Sequence, residues 1–350
     1  MTDRRWLAVA LLLMTLAYAR VLHAPFVYED AMTVKVVDGF TWQTPLGWLT
    51  TGRAVTRLSL DANYLTGGLH PLGYHAVNVL VHGVNGVLVY RIGSALMPGP
   101  AAALAAGLFL LHPIQTEAVS YVSGRSELLA ACFTLAAIWC VLGPLTKARG
   151  TLFILCAVLG MASKETAAAV VVLAPLMVWA TKQDREWYAL IALLPMVGLI
   201  HAYSALAGNS YAFLNHAGGF GYLAYQCAAL WNLIGLVIVP VGFSIDHDVA
   251  SWSRIVAVLG LVGVVLWIAL AVWTVRISRR VALCVAWPLI VLVPRFFIRI
   301  PEHLNEHQTY SAFIALWWLI GIGSLWLAQR WETYQFVRAH LYQWRGAMRC

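Results

Sequence analysis

Two adjacent acids, Glu29 and Asp30, follow Phe26, Val27 and Tyr28 directly after an apolar segment. Beside a low-dielectric surface, one carboxylate of such a pair is pushed towards the pKa of a useful base. A base there could take a proton from a hydroxyl nucleophile. The same dipeptide also fits a solvated acidic pair flanking a membrane segment. A second acid, Glu117, follows His112-Pro113 and precedes Ser123-Gly124-Arg125-Ser126-Glu127. Acid beside arginine fits either a structural ion pair or a substrate-orienting couple, and spacing does not choose between them. Two more groups, Asp246-His247-Asp248 and Glu302, His303, Glu306 and His307, carry enough acid and imidazole to line a polar cavity.

The elements that must position these residues follow from composition. The chain has 350 residues, of which 61% are hydrophobic and 11% charged, so lipid rather than water must solvate much of its surface. A membrane helix needs roughly 20 largely apolar residues. The apolar runs are continuous and rich in Ala, Leu, Val and Trp, which excludes the alternating pattern of an outer-membrane barrel. Spans are expected near 6–24, 71–96, 100–119, 126–145, 150–162, 166–181, 187–206, 254–275, 281–298 and 310–328. The fold class expected is an all-α, polytopic transmembrane helical bundle of about 10–11 membrane helices, with a long first outer-face loop at 25–70 and a short basic cytoplasmic tail at 331–350.

Lys and Arg concentrate in cytoplasmic loops, which places Arg4 and Arg5, Lys147 and Arg149, Lys182 and Arg185, and Arg276 to Arg280 inside, together with both termini. Two termini on one side require an even number of crossings. The further apolar stretch from Tyr222 to Phe243 is therefore expected to lie along the outer face or to dip in and return, helped by Pro240 and Gly242. Ala17-Tyr18-Ala19, after a short apolar core, also fits a signal-peptide cleavage site, but a polytopic chain favours a retained first span.

The net charge of +8 does not imply nucleic acid, because no soluble basic domain carries it. Of the six cysteines, Cys132, Cys140, Cys156 and Cys284 sit in apolar runs without paired spacing, so neither a disulfide framework nor a zinc site is expected. In the span opened by Pro71, His75, Asn78, His82 and Asn85 share one face. A polar stripe in lipid must face other helices, and interhelical hydrogen bonding fits it better than metal ligation.

Topology leaves a surplus of cations outside: Lys35, Arg53, Arg57, Arg125, Lys164, Arg295 and Arg299. Each could snorkel at the interface. As a set they point to an anionic ligand on the outer face. Ser163-Lys164-Glu165 interrupts an apolar run and marks a tight turn, where the lysine would meet a lipid-linked phosphate at headgroup depth.

Five ordered stretches then carry a family resemblance: Phe26 to Asp30; Leu58 through His82; His112-Pro113-Ile114-Gln115-Thr116-Glu117-Ala118-Val119 running into Gly124 to Ala130; Ser163-Lys164-Glu165; and Asn305-Glu306-His307 with Tyr310. Over about residues 5–330 the chain resembles the C-type membrane glycosyltransferases (GT-C). Within them it resembles the transmembrane O-mannosyltransferase-like branch that carries tetratricopeptide repeats. The resemblance implies inverting sugar transfer on the non-cytoplasmic face with polyprenyl phosphate as leaving group, and the first acid of the pair, Glu29, as base. Departures are Glu29 where Asp is usual, Gln115 where His is common, and no Leu-Pro after Tyr310. Residues 331–350 are too few for a repeat of about 34 residues.

The expected site therefore comprises Glu29 and Asp30 as catalytic acids, Lys164 and Arg125 at the donor phosphate, and Glu117, His112, Asp246, His247, Glu306 and His307 at sugar and acceptor. No metal ligands are assigned, although a divalent cation such as Mg or Mn is compatible with the reaction. The partners implied are a polyprenyl-phosphate-linked sugar, a glycan, lipid or protein hydroxyl as acceptor, and membrane lipid. The location implied is the inner membrane with the site facing the periplasm. A flippase for a lipid-linked sugar is the rival from another class, but it predicts an internal repeat and none is visible. A non-catalytic protein on the same scaffold is the third reading.

Overall fold

The computed structural model describes residues 2–28, 30, 33, 53–195, 219–244, 247, 252–297 and 304–347, with side chains between residues 4 and 332. Glu29, Asp246, Lys35, Arg299, Glu302 and His303 lie outside the described residues. Every regular element among those described is helical, and the chain is a helical membrane bundle. The helices are α1 (Thr2–Ala17), α2 (Ala54–Gly67), α3 (Pro71–Leu96), α4 (Gly99–Leu111), α5 (Thr116–Ser120), α6 (Arg125–Cys140) and α7 (Lys147–Met161), followed by α8 (Val170–Thr181), α9 (Glu186–Ile191), α10 (Phe220–Ile238), α11 (Arg254–Thr274), α12 (Arg279–Phe297), α13 (Thr309–Ala312) and α14 (Ile314–Ala347).

Among the described residues four helices are long and apolar enough to cross a membrane, and six if each of two bent pairs counts as one span. Several expected spans form shorter helices, such as α6 with 16 residues and α8 with 12, and the span expected at 187–206 runs beyond the described residues. An apolar face fit for lipid lies on α11, where Ile255, Leu259, Val262, Leu266 and Val272 are all exposed.

Sequence punctuation sets the ends. Pro71 opens α3, where its missing N–H costs nothing. The expected span 100–119 breaks at His112, bending by 53° into the segment Pro113–Ser120. Pro113 forces the preceding residue out of the helical region, and His112 is extended, with φ −71° and ψ 132°. A second bend of 58° lies between Glu306–Ala312 and Ile314–Glu332. The turn expected at Ser163-Lys164-Glu165 separates α7 from a 3-10 segment, Glu165–Ala169, that leads into α8. Helix α14 continues unbroken to Ala347, through most of the segment expected as the tail.

The helices alternate between two ends. Arg280 at the start of α12 donates to Leu96 O at the end of α3 (3.1 Å), so these two ends coincide. The acids, Arg125, Lys164 and Glu306 gather at the opposite end, where α3, α6 and α14 begin and α4, α7 and α12 finish. Helix α10 is one unbroken 19-residue helix, and Pro240 and Gly242 lie beyond its C-terminus. It packs closely on α11, where a Cβ at Gly260 would stand 2.5 Å from Ala228 N. Its two halves both bond to the site end of the bundle: Gln226 accepts from Arg295 Nε in the last turn of α12 (2.7 Å), and Val237 O accepts from His112 (3.1 Å). Helix α10 has the length and apolarity of a span.

Candidate functional site

The chain enters the site through a small apolar cluster. Phe26 packs edge-on against Tyr74 at the head of α3 (5.4 Å between ring centroids), with Leu60 of α2 and Val122. Tyr28 then takes a left-handed conformation, φ 51°, which L-residues with bulky side chains avoid. That reversal brings the Asp30 N–H onto Val27 O (3.0 Å), while Val27 N–H donates back to Asp30 Oδ2 (3.4 Å). The other oxygen, Oδ1, accepts from the amide and hydroxyl of Ser123 (2.9 and 3.1 Å). Asp30 is fully buried. Burial pushes its carboxyl above the ordinary value, and the Ser123, Val122 and Val27 hydrogen bonds partly oppose that rise.

Ser123 is held in turn. Gly124 follows it, and a Cβ there would stand 2.4 Å from Ala118 O, so only glycine lets the 122–124 turn lie against α5. Next comes Arg125, the first residue of α6, with no exposed surface. Its Nε donates to Asn78 Oδ1 (2.9 Å), Nη1 to Ser59 O and Asn63 Oδ1 (2.9 and 2.6 Å), and Nη2 to Tyr74 O (2.8 Å). All four acceptors are neutral, and they join α2, α3 and α6. Asn78 also donates to Val119 O and Tyr121 O (3.2 and 3.0 Å), the backbone immediately before the Ser123 turn.

Lys164 is 7% exposed, and its Nζ lies 2.7 Å from Oε1 of fully buried Glu127. Thr166 donates to the second oxygen (3.3 Å). Beside this pair, Arg53 at the start of α2 bridges Glu165 (2.8 Å) at the more exposed edge. Thr56 of α2 donates to Ser163 O (2.9 Å). Helix α2 is thus pinned both to the Lys164 turn and, through Arg125, to the turn that holds Asp30.

Consecutive residues of the 3-10 segment Glu306–Gln308 reach in two directions. Glu117 accepts from the His307 amide (2.7 Å) and from Nδ1–H (2.8 Å), which fixes the orientation of the ring. Glu306 Oε1 accepts from Ser244 N–H (2.8 Å) and from His247 Nε2 (2.9 Å). His112 uses Nδ1 to accept from Ile114 N–H (3.2 Å), so Nε2–H donates to Val237 O, and its ring lies 4.8 Å from that of Trp317.

The polar stripe of α3 is spent on interhelical hydrogen bonds, as its spacing implied. His75 donates to Ala24 O (3.2 Å), and His82 Nε2–H donates to Leu110 O (3.2 Å). His82 Nδ1 must then accept from the Tyr310 hydroxyl (2.8 Å), which itself accepts from Asn85 (3.0 Å). Among the described residues no group of three or more His, Cys, Asp or Glu side chains could hold a metal ion.

Of the expected site residues, the structure gathers Asp30, Arg125, Lys164, Glu117, His112, His247, Glu306 and His307 at one end of the bundle, each engaged by a protein partner. Ser123 and Glu127, which complete the environments of Asp30 and Lys164, were not singled out from sequence. The signal was there, since both flank Arg125 in the same five-residue stretch.

No family model matches the chain, and no solved structure does. It is similar to curated proteins. Protein O-mannosyl-transferase Tmtc1 of Drosophila melanogaster is 36% identical over 170 residues, covering 43% of this chain and 20% of the relative. Protein O-mannosyl-transferase TMTC4 of Mus musculus is 33% identical over 151 residues, covering 34% and 20%. Protein O-mannosyl-transferase Tmtc2 of Drosophila melanogaster is 42% identical over 133 residues, covering 33% and 14%. The chain thus spans a fifth or less of the length of these relatives, and within that stretch it resembles the transmembrane O-mannosyltransferase branch of the C-type glycosyltransferases.

Proposed function

We propose that the chain is an inverting glycosyltransferase that moves a sugar, mannose by analogy with its relatives, from a polyprenyl-phosphate donor to an acceptor hydroxyl on the outer face of the membrane. A carboxylate of the Glu29–Asp30 pair removes the acceptor proton as the hydroxyl oxygen bonds to the anomeric carbon. The bond from that carbon to the phosphate oxygen breaks, and polyprenyl phosphate leaves with the added negative charge. Lys164, already fixed by Glu127 at 2.7 Å, stabilises that charge without reorganising.

The observation that carries this reading is the pairing of a buried acid turn with a buried, pre-positioned ammonium at the same end of a lipid-solvated bundle. The similarity to O-mannosyl-transferases supports the sugar-transfer class. Within the acidic pair, Asp30 accepts three hydrogen bonds and is buried, which suits the orienting role and leaves proton removal to Glu29. Glu117, Glu306, His307, His247, His112 and Asp246 form the sugar and acceptor side.

The test is transfer of labelled mannose from polyprenyl-phosphate mannose to candidate acceptors by purified protein in detergent, where a flippase scores nothing. Transfer is expected from the wild type and not from the Glu29→Ala, Asp30→Ala double variant. Full transfer by that double variant overturns the catalytic assignment.

A further inference from the structure

Arg125 combines features that do not fit a phosphate ligand. It is fully buried, and its donors are taken by Asn78, Ser59, Asn63 and Tyr74 at 2.6–2.9 Å. A guanidinium in such a fork fixes geometry in a way an ammonium cannot. What it fixes can be followed atom by atom. Asn78 receives Arg125 Nε and passes the constraint to Val119 O and Tyr121 O. Gly124 N–H then closes on Tyr121 O (3.0 Å), and the turn presents the Ser123 amide and hydroxyl to Asp30 Oδ1. Thr33, just beyond Asp30, shares the Ser123 hydroxyl (2.8 Å), so the same serine also ties down the chain leaving the acids. The far side of the fork grips Ser59 and Asn63 of α2, whose own start is bonded to the Lys164 turn through Thr56 and Arg53.

We propose that Arg125 is a positioning residue: through Asn78 and the 119–123 backbone it sets Ser123, and Ser123 in turn sets the Asp30 carboxylate relative to the Lys164 turn. Its part in catalysis rests on the transferase reading, whereas its coupling to Asp30 rests on geometry alone. Among the described residues the groups that meet Asp30 are Ser123, Val122, Val27 and, from α3, His75, and the hydrogen-bonded route from Arg125 to the acid runs through Asn78 and the 119–123 backbone.

The experiment uses the full chain in detergent with Arg125→Lys, which keeps the charge and loses the fork, and Ser123→Ala, which removes the hydroxyl half of the last link and leaves the amide half, with little risk to folding. Binding of a polyprenyl phosphate is measured beside steady-state transfer from polyprenyl-phosphate mannose. Both variants are expected to bind polyprenyl phosphate as the wild type does and to lose kcat by about 100-fold, the effect of misplacing a reacting group by about 1 Å. Ser123→Thr, which keeps the hydroxyl, is expected to restore most of that loss. Polyprenyl phosphate binding weakened by about tenfold or more in Arg125→Lys, with kcat retained at saturating donor, makes Arg125 a phosphate ligand and overturns the proposal.

A second readout does not depend on transfer. Thermal unfolding of Arg125→Lys, Asp30→Ala and their combination is expected to be non-additive, as for members of one hydrogen-bonded network. Additive shifts overturn the relay. A wild type that transfers no sugar sinks the glycosyltransferase reading, and the unfolding cycle still decides the coupling.

Discussion

Replacing Lys164 by methionine separates stability from function at the site. The ammonium lies 2.7 Å from Glu127 Oε1, and Glu127 has no exposed side-chain surface. Once the lysine is gone, the carboxylate keeps only the Thr166 hydroxyl at 3.3 Å. Removing one partner of a buried pair costs about 3–5 kcal/mol. With an unfolding entropy of about 2.1 cal/mol/K per residue over this chain, each kcal/mol moves Tm by roughly 1.4 °C, so the drop should be about 4–7 °C. The double variant Lys164→Met, Glu127→Leu removes both charges and their desolvation together, and should unfold within about 2 °C of the wild type. If Lys164 steadies the leaving phosphate, the rescued double variant should still transfer sugar about 100- to 1000-fold more slowly, the effect of losing one fixed electrostatic contact in a transition state. Fluorescence-monitored unfolding and labelled sugar transfer on the same preparations provide the assay. A single variant as stable as the wild type would show that the pair carries no buried charge. A double variant that regains both stability and transfer would remove Lys164 from the phosphate.

Three further outcomes follow from the geometry. The raised Asp30 carboxyl means that the folded chain holds that proton more tightly than the unfolded chain, so this group's contribution to stability falls as pH rises from the usual carboxylate value through the folded one; Tm of wild type relative to Asp30→Asn should decline over that window and then level off, and parallel curves would refute it. Gly124→Ala should destabilise the chain by about 1–3 kcal/mol and slow transfer, because the added methyl meets Ala118 backbone at 2.4 Å rather than a movable side chain; unchanged unfolding would mean that the turn is not packed against α5. Tyr310→Phe leaves His82 Nδ1 without its donor and should lower stability by about 1–3 kcal/mol with KM unaffected, as read by unfolding and donor titration.

How far these features were legible in the sequence varies with the range of the interaction behind them. The α3 stripe could be read because helical period alone puts His75, Asn78, His82 and Asn85 on one face, and lipid leaves a polar face no other use. The turn at Ser163-Lys164-Glu165 could be read because charge inside an apolar run is expensive unless it sits at an end. The bend within the expected span 100–119 is not legible from hydropathy, because apolarity continues past His112, whereas the backbone restriction imposed by Pro113 acts on geometry. In sequence the outer cations form a surplus that calls for an anion. Lys164 meets Glu127 and Arg53 meets Glu165 within the protein, and Arg125 is satisfied by neutral groups.

By itself the sequence determined that lipid solvates this chain, that its elements are helices, and which short stretches carry acids, imidazoles and cations, because hydropathy and period are local properties. Only the tertiary structure decided which acid meets which base. Glu117 and His307 are 190 residues apart, and Arg53 and Glu165 are 112. Such pairings depend on how helices stack and on a few ångströms of register, over which the interaction between two charges changes from strong to negligible. The burial of Asp30 and Arg125 and the pairing of Lys164 with Glu127 are therefore properties of the packed bundle and of no single stretch of residues.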